Sequence, residues 1–101
     1  METVTWDDPD GVRWIELEGE LDHEACLEAK EGFLETALGG RGDVVVVLQG
    51  VRFLGSTAIG MLNDARAALA RKGRVLRLHG LRPAIRQILQ TMNLLDVFEE
   101  L

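Results

Sequence analysis

The stretch FLGSTAIG, Phe53 to Gly60, places two hydroxyls, Ser56 and Thr57, between bracketing glycines at Gly55 and Gly60. It follows a run of apolar strand formers and precedes a helical pattern. Three chemistries suit small hydroxyls in that setting: a phosphate cradle, an activated nucleophile, or a serine that another protein modifies. As a cradle, Gly55 and Gly60 have the G-x-x-x-x-G spacing of a P-loop, whose backbone amides wrap phosphates. The lysine and the Ser/Thr that should follow are Met61 and Leu62. Without that cation and that metal ligand, nothing neutralises the charge that develops in triphosphate hydrolysis. A nucleophile elbow requires G-x-S-x-G, and Leu54 and Ala58 stand where its glycines belong. Ser56, Asp64 and His79 occur in the chain order of a triad. Asp64, however, lies about two turns along the same helical pattern, which does not bring it to the serine.

The third possibility survives beside a plainer one. A serine at a helix start caps it, its oxygen accepting a first-turn amide. The same unpaired amides, with the helix dipole, also favour a phosphate attached there. On these residues alone, cap and target both stay open. His23 and Cys26, three apart, are spaced to share a helix face as metal ligands. A structural zinc takes four ligands and a catalytic one usually three from the protein. The chain has one further histidine, His79, and no second cysteine. Cys26 therefore reads as a core residue, and neither metal, cofactor nor catalytic residue is expected.

These side chains need a frame, and the hydrophobic pattern supplies one. Thr3 to Trp6 reads as a short strand ended by the turn signal DDPDG, Asp7 to Gly11. Val12 to Glu18 reads as a second strand hairpinned to it, with Ile15 and Leu17 on one parity. Trp6 and Trp14 fall on this hairpin, either as core or as an exposed contact. Asp22 is placed to cap a helix whose Cys26, Ala29, Phe33 and Ala37 form an apolar stripe. GGRG, Gly39 to Gly42, stops it. DVVVVLQG, Asp43 to Gly50, lacks alternation, as in a central parallel strand covered on both faces. A helix from about Ser56 to Arg71 follows, then a strand within RVLRLHG, Arg74 to Gly80. Pro83 suits the first turn of a third helix with Ile85, Ile88, Leu89 and Met92 turned inward. A short edge strand is expected through Val97 and Phe98. The order β-β-α-β-α-β-α-β implies an α/β domain with a mostly parallel sheet and an antiparallel first strand.

Composition bounds the function. The 101 residues carry 17 acids against 11 bases, a formal net charge of −6. One domain, residues 1–101, is expected, with enough apolar residues, 47%, for a single core. The charge argues against non-specific binding to nucleic acid or anionic membranes. Arg71, Lys72, Arg74 and Arg77 do cluster, and read as a solvated helix end and strand face. The single cysteine suits a reducing compartment. With neither a leader pattern nor an apolar run of membrane-spanning length, a cytoplasmic protein is expected.

GELDHEA after a strand, FLGSTAIGML opening a helix, and LRPAIRQILQTMNLLDVFEEL together resemble the STAS domain family, specifically its anti-sigma factor antagonist type. The resemblance runs from about Val12 to Leu101. It implies a STAS fold, no enzymatic activity and a partner switch in transcription regulation. The unphosphorylated antagonist binds an anti-sigma factor that is also a serine kinase, the ATP being bound by that partner. The kinase phosphorylates it, and a serine phosphatase reverses the modification. Against the pattern Asp-Ser-Ser/Thr-Gly-Leu-Gly, Ser56 occupies the phosphoacceptor position, Thr57 the second hydroxyl and Gly60 the closing glycine. Glu20, Leu21, Asp22 and His23 match the neighbouring loop. The resemblance thus places Glu20, Asp22, His23, Gly55, Thr57, Gly60 and Met61 on the partner-binding surface. Gly55 stands where the pattern has aspartate, and Ala58 where it has glycine. Many members continue past the position of Leu101 into another helix. The alternative within the fold is a non-switching scaffold or an accessory subunit of a signalling assembly or transporter.

Overall fold

The computed structural model describes all 101 residues, Met1–Leu101. β1 (Glu2–Asp7) and β2 (Arg13–Leu21) form an antiparallel hairpin, and α1 (His23–Leu38) follows. Then come β3 (Val44–Leu54), α2 (Ser56–Ala70), β4 (Leu76–His79), α3 (Pro83–Thr91) and β5 (Glu99–Glu100). The strands lie in the order β1-β2-β3-β4-β5, every pair after the first being parallel. The expected mixed α/β sheet is therefore present, with the four-valine strand at its centre.

Local chemistry explains the ends of the elements. The hairpin closes because Asp8 Oδ1 accepts from the amides of Asp10 and Val12, at 2.9 and 3.0 Å, while Gly11 takes a positive φ of 83°. Val12 is consumed by this turn, so β2 starts one residue later than the alternation suggested. Asp22 caps α1, its Oδ1 accepting the Ala25 amide at 2.9 Å. α3 begins at Pro83, where a missing amide costs nothing, and ends through Asn93 at φ 56°.

All three helices bury their apolar sides in one 23-residue cluster. From the sheet it takes Ile15, Leu17, Val44, Val46, Leu48, Leu76 and Leu78; from the helices, Cys26, Phe33, Leu62, Leu69, Ile85 and Leu89, among others. Side chains alternate across a strand, so Trp14, Val45, Val47, Arg77 and His79 point to the opposite face. Val45 and Val47 are buried there, outside that cluster, by neighbouring side chains of the sheet. No helix is long and apolar enough to cross a membrane.

Three expectations are corrected. The last strand is Glu99–Glu100, because the amides of Val97 and Phe98 are spent on the Leu94 carbonyl in a turn, with Phe98 fully buried. Met92 is 49% exposed, since α3 has already ended before it. Arg74 belongs to no solvated strand face: it is 8% exposed, and its guanidinium donates to the carbonyls of Gly42, Leu38 and Ala37. The carbonyls of Ala37 and Leu38 are orphans at the end of α1, which has no basic residue in its own last turn, and Gly42 lies in the loop that follows.

Candidate functional site

Adjacent parallel strands β2 and β3 finish together, Leu21 in register with Leu54. Two register shifts, each spending one extra residue of β3 against β2, with Gly19 of β2 at φ 100°, bring the two ends into that alignment. The two loops leaving these carboxyl ends are consequently side by side, and the Gly55 amide donates to the Leu21 carbonyl at 3.1 Å. That edge of an open parallel sheet is where α/β folds usually place their binding sites.

Gly55, not Ser56, is the N-cap of α2. Its backbone is extended (φ −81°, ψ 170°), and its carbonyl accepts the first helical bond, from Ile59 at 3.1 Å. A cap residue needs that conformation, and glycine has no side chain to complete the cap. Ser56 is therefore the first helical residue, exposed, and the first-turn amides of α2 have no side-chain acceptor from the cap. Those amides carry the positive end of the helix dipole.

Thr57 sits differently. His23 Nδ1 and Thr57 Oγ1 are 2.7 Å apart, linking the first turns of α1 and α2. In the Nε2–H tautomer the hydroxyl donates to the ring. Of the expected surface residues, Glu20, Asp22, His23 and Gly60 are exposed, and Gly55 and Thr57 half-buried. Glu20 stands in register with Phe53. Met61 is corrected: it is 4% exposed and part of the core, because it faces inward one turn past Ser56. It only floors a groove of about 220 Å³ between α1 and α2, whose walls include Leu27, Lys30, Thr57, Gly60 and Asp64.

Two apolar residues beside the site escaped the reading of the sequence. Leu27 is 58% exposed and Phe53 50% exposed. The available signal was phase, since Leu27 lies off the stripe of Cys26, Phe33 and Ala37. A Cβ placed on Gly55 would sit 3.3 Å from Phe53 Cε2, so this ring fills the space beside the glycine.

The alternative chemistries do not assemble. His79 Nδ1 hydrogen-bonds with the Leu101 carbonyl at 3.0 Å, and the ring stands edge-on to Trp14. Burial pushes the Cys26 thiol up, which keeps it protonated. No group of three or more His, Cys, Asp or Glu side chains converges on one point.

A family model described as "Mlab, STAS domain" matches residues 4–99. Among solved structures, an anti-sigma-factor antagonist (STAS) domain protein from Planctomyces limnophilus superposes with a TM-score of 0.85 at 19% identity, covering 97% of this chain and 87% of that one. An anti-sigma factor antagonist from Mycobacterium paratuberculosis gives a TM-score of 0.80 at 24% identity, with 98% and 83% covered. The Bacillus cell fate determinant SpoIIAA, in its phosphorylated form, gives 0.71 at 20% identity, with 99% and 91% covered. Among curated proteins, none matches the sequence.

Proposed function

We propose, from the premise that this chain belongs to the STAS domain family, that it is a regulatory binding module switched by phosphorylation of Ser56. Its partner is an anti-sigma factor with serine kinase activity, which binds the ATP, and a serine phosphatase resets the switch. The module works in the cytoplasm, as a single domain without cofactor or catalytic residue of its own.

The observation that carries this reading is the contrast between two adjacent hydroxyls. Ser56 is exposed at the first helical position, whereas Thr57 is held by His23. A kinase reaching the turn meets Ser56 free to attack. The serine Oγ–P bond forms, the bond to the β-phosphate breaks, and the hydroxyl proton passes to the kinase.

The modification adds about −1.5 to −2 charge on one exposed turn. In the free domain the unpaired amides of α2 stabilise it. In a docked complex the same charge is desolvated beside Leu27 and Phe53, which supply apolar contact area and no counter-charge. The free state gains and the complex loses, so the switch needs little change of shape.

Incubation with ATP and the cognate kinase, followed by phosphopeptide mapping, tests the reading. Phosphate on Ser56 is expected; phosphate on Thr57 or elsewhere overturns the acceptor assignment. Gly55 favours the second reading, a non-switching scaffold or accessory subunit, because the carboxylate of the family pattern is replaced here by the Phe53 ring. Persistent absence of phosphate with partner binding intact would decide for it.

A further inference from the structure

We infer that the open face of the sheet, opposite the three helices, is a second docking surface built for a cationic amphipathic segment of a partner protein. The inference is independent of the Ser56 reading, since it uses none of the groups around α2. Val4 and Trp6, on the same side of β1, are 55% and 42% exposed. Trp6 stacks on Trp14 with ring centroids 6.1 Å apart and planes 8° from parallel. Trp14 is fixed in turn by its Nε1, which donates to Asp8 Oδ2 at 3.0 Å. The result is a rigid aromatic platform, the low-entropy kind of surface that anchors interfaces.

Charge specifies the occupant. Val4 is paired across the hairpin with Glu16, and Glu2 lies directly opposite Glu18. Like charges at opposed positions in an antiparallel pair are unfavourable. Yet the ion pairs of the fold join Arg13 to Asp7, Arg77 to Asp43 and Glu99, and Arg86 to Glu100, leaving these three carboxylates without a partner. Beside them is a hollow of about 450 Å³ lined by Met1, Glu2, Glu18, Gly19, Gly50 and Arg52. Neither the Met1 amine nor Arg52 comes within ion-pair distance of the carboxylates.

An apolar platform bordered by uncompensated acids suits a segment whose apolar residues cover Val4 and Trp6 while a Lys or Arg enters the hollow. The exposed Trp6 ring also accepts a cation on its face. A second copy of this chain fits poorly, because a two-fold contact would set the same three carboxylates against one another. An anionic lipid surface is repelled for the same reason.

The chain contains two tryptophans and no tyrosine, so its intrinsic fluorescence reports this face alone. The full chain is titrated with a helical leucine/lysine peptide, with affinities taken by calorimetry. A saturable blue shift is expected, weakened by salt. Trp6→Ser, and separately Val4→Ser, should each weaken binding about tenfold, the scale of an anchor residue. Glu16→Gln with Glu18→Gln should do the same, while Glu31→Gln with Glu35→Gln, exposed on α1, should leave it unchanged. The inference fails if the α1 pair loses as much, if no saturable shift occurs, or if phosphatidylglycerol vesicles give an equal shift. It also fails if the free chain dimerises in sedimentation and Val4→Ser abolishes the dimer.

Discussion

His23 Nδ1 and Thr57 Oγ1 lie 2.7 Å apart although 34 positions separate them in the chain. This one hydrogen bond ties the first turn of α1 to the first turn of α2, and so holds together the two halves of the candidate site. Being exposed, it is worth about 0.5–1.5 kcal/mol. Thr57→Val should lower stability by no more than that in urea unfolding, yet leave the circular dichroism spectrum unchanged. A larger loss would mean that the bond supports the fold and not merely the junction of the two helix starts.

The serine beside it should behave in the opposite way. Ser56→Ala is expected to abolish phosphorylation by the cognate kinase while leaving partner affinity and stability within about 0.5 kcal/mol, as for surface changes generally. Ser56→Glu places a permanent charge on the turn and should weaken partner binding. Calorimetric titration of the partner with both variants checks the pair. If Ser56→Ala binds as poorly as Ser56→Glu, the hydroxyl is itself a contact and charge is not the switch.

Much of this site was legible in residue types. The Asp22 cap, the parallel valine strand and the proline start of α3 each follow from a short-range preference that the tertiary fold does not oppose. What stayed hidden depends on geometry between elements. Serine is a better cap than glycine by preference, but the extended backbone falls at Gly55, where the chain leaves β3. Arg74 looks like one of several surface cations until the end of α1 arrives beside it. Phe53 and Leu27 have the composition of core residues and lie out of phase with it, so only the folded chain reveals them as surface.

Restoring aspartate at position 55 tests the unusual neighbour of Ser56. The extended backbone accepts Asp, and its carboxylate would cap α2, worth a few tenths of a kcal/mol over glycine. The new Cβ, however, would stand 3.3 Å from both Phe53 Cε2 and the Leu21 carbonyl. The Phe53 ring, half exposed, must swing away. Gly55→Asp should therefore change stability by less than about 1 kcal/mol but alter partner affinity, and Phe53→Ser should weaken binding about tenfold at unchanged stability. Equal affinities for wild type and both variants would remove Phe53 from the interface.

Arg74 makes the strongest structural prediction. Its Nε donates to Gly42 O at 2.6 Å, and its two terminal nitrogens to Leu38 and Ala37 at 3.0 and 3.2 Å. Arg74→Met keeps the buried stem but leaves three carbonyls without their donor. Hydrogen bonds to charged groups are worth about 1.5–3 kcal/mol and are not additive, so a loss of about 2–4 kcal/mol is expected. Arg71→Met, exposed and nearby, should cost less than about 0.5 kcal/mol. Urea midpoints at equal slope compare the two, and similar losses would show that Arg74 acts only through net charge.

Asp43 should set part of the acid limit of the fold. Its Oδ1 accepts the Val75 amide at 2.9 Å and its Oδ2 accepts from Arg77 at 3.0 Å, joining the start of β3 to that of β4. The amide bond, followed by Arg77, holds the carboxyl below its ordinary value of 3.8. A folded-state pKa below the unfolded one contributes stability that is complete above the unfolded value. That contribution is lost as pH falls through the lower folded value. Asp7, Asp8 and Glu100 are shifted in the same direction by hydrogen bonds from Arg13, Trp14 and Arg86, so the acid decline is shared. Asp43→Asn should be less stable than wild type by a constant amount above about pH 5, and the gap should narrow below 3.8 as the wild-type carboxylate protonates. Urea unfolding of both proteins across this range measures the gap. A difference that stays constant to the lowest pH would mean that the Asp43 carboxylate gains nothing from its charge, and that the hydrogen-bonded shape alone holds the two strand starts together.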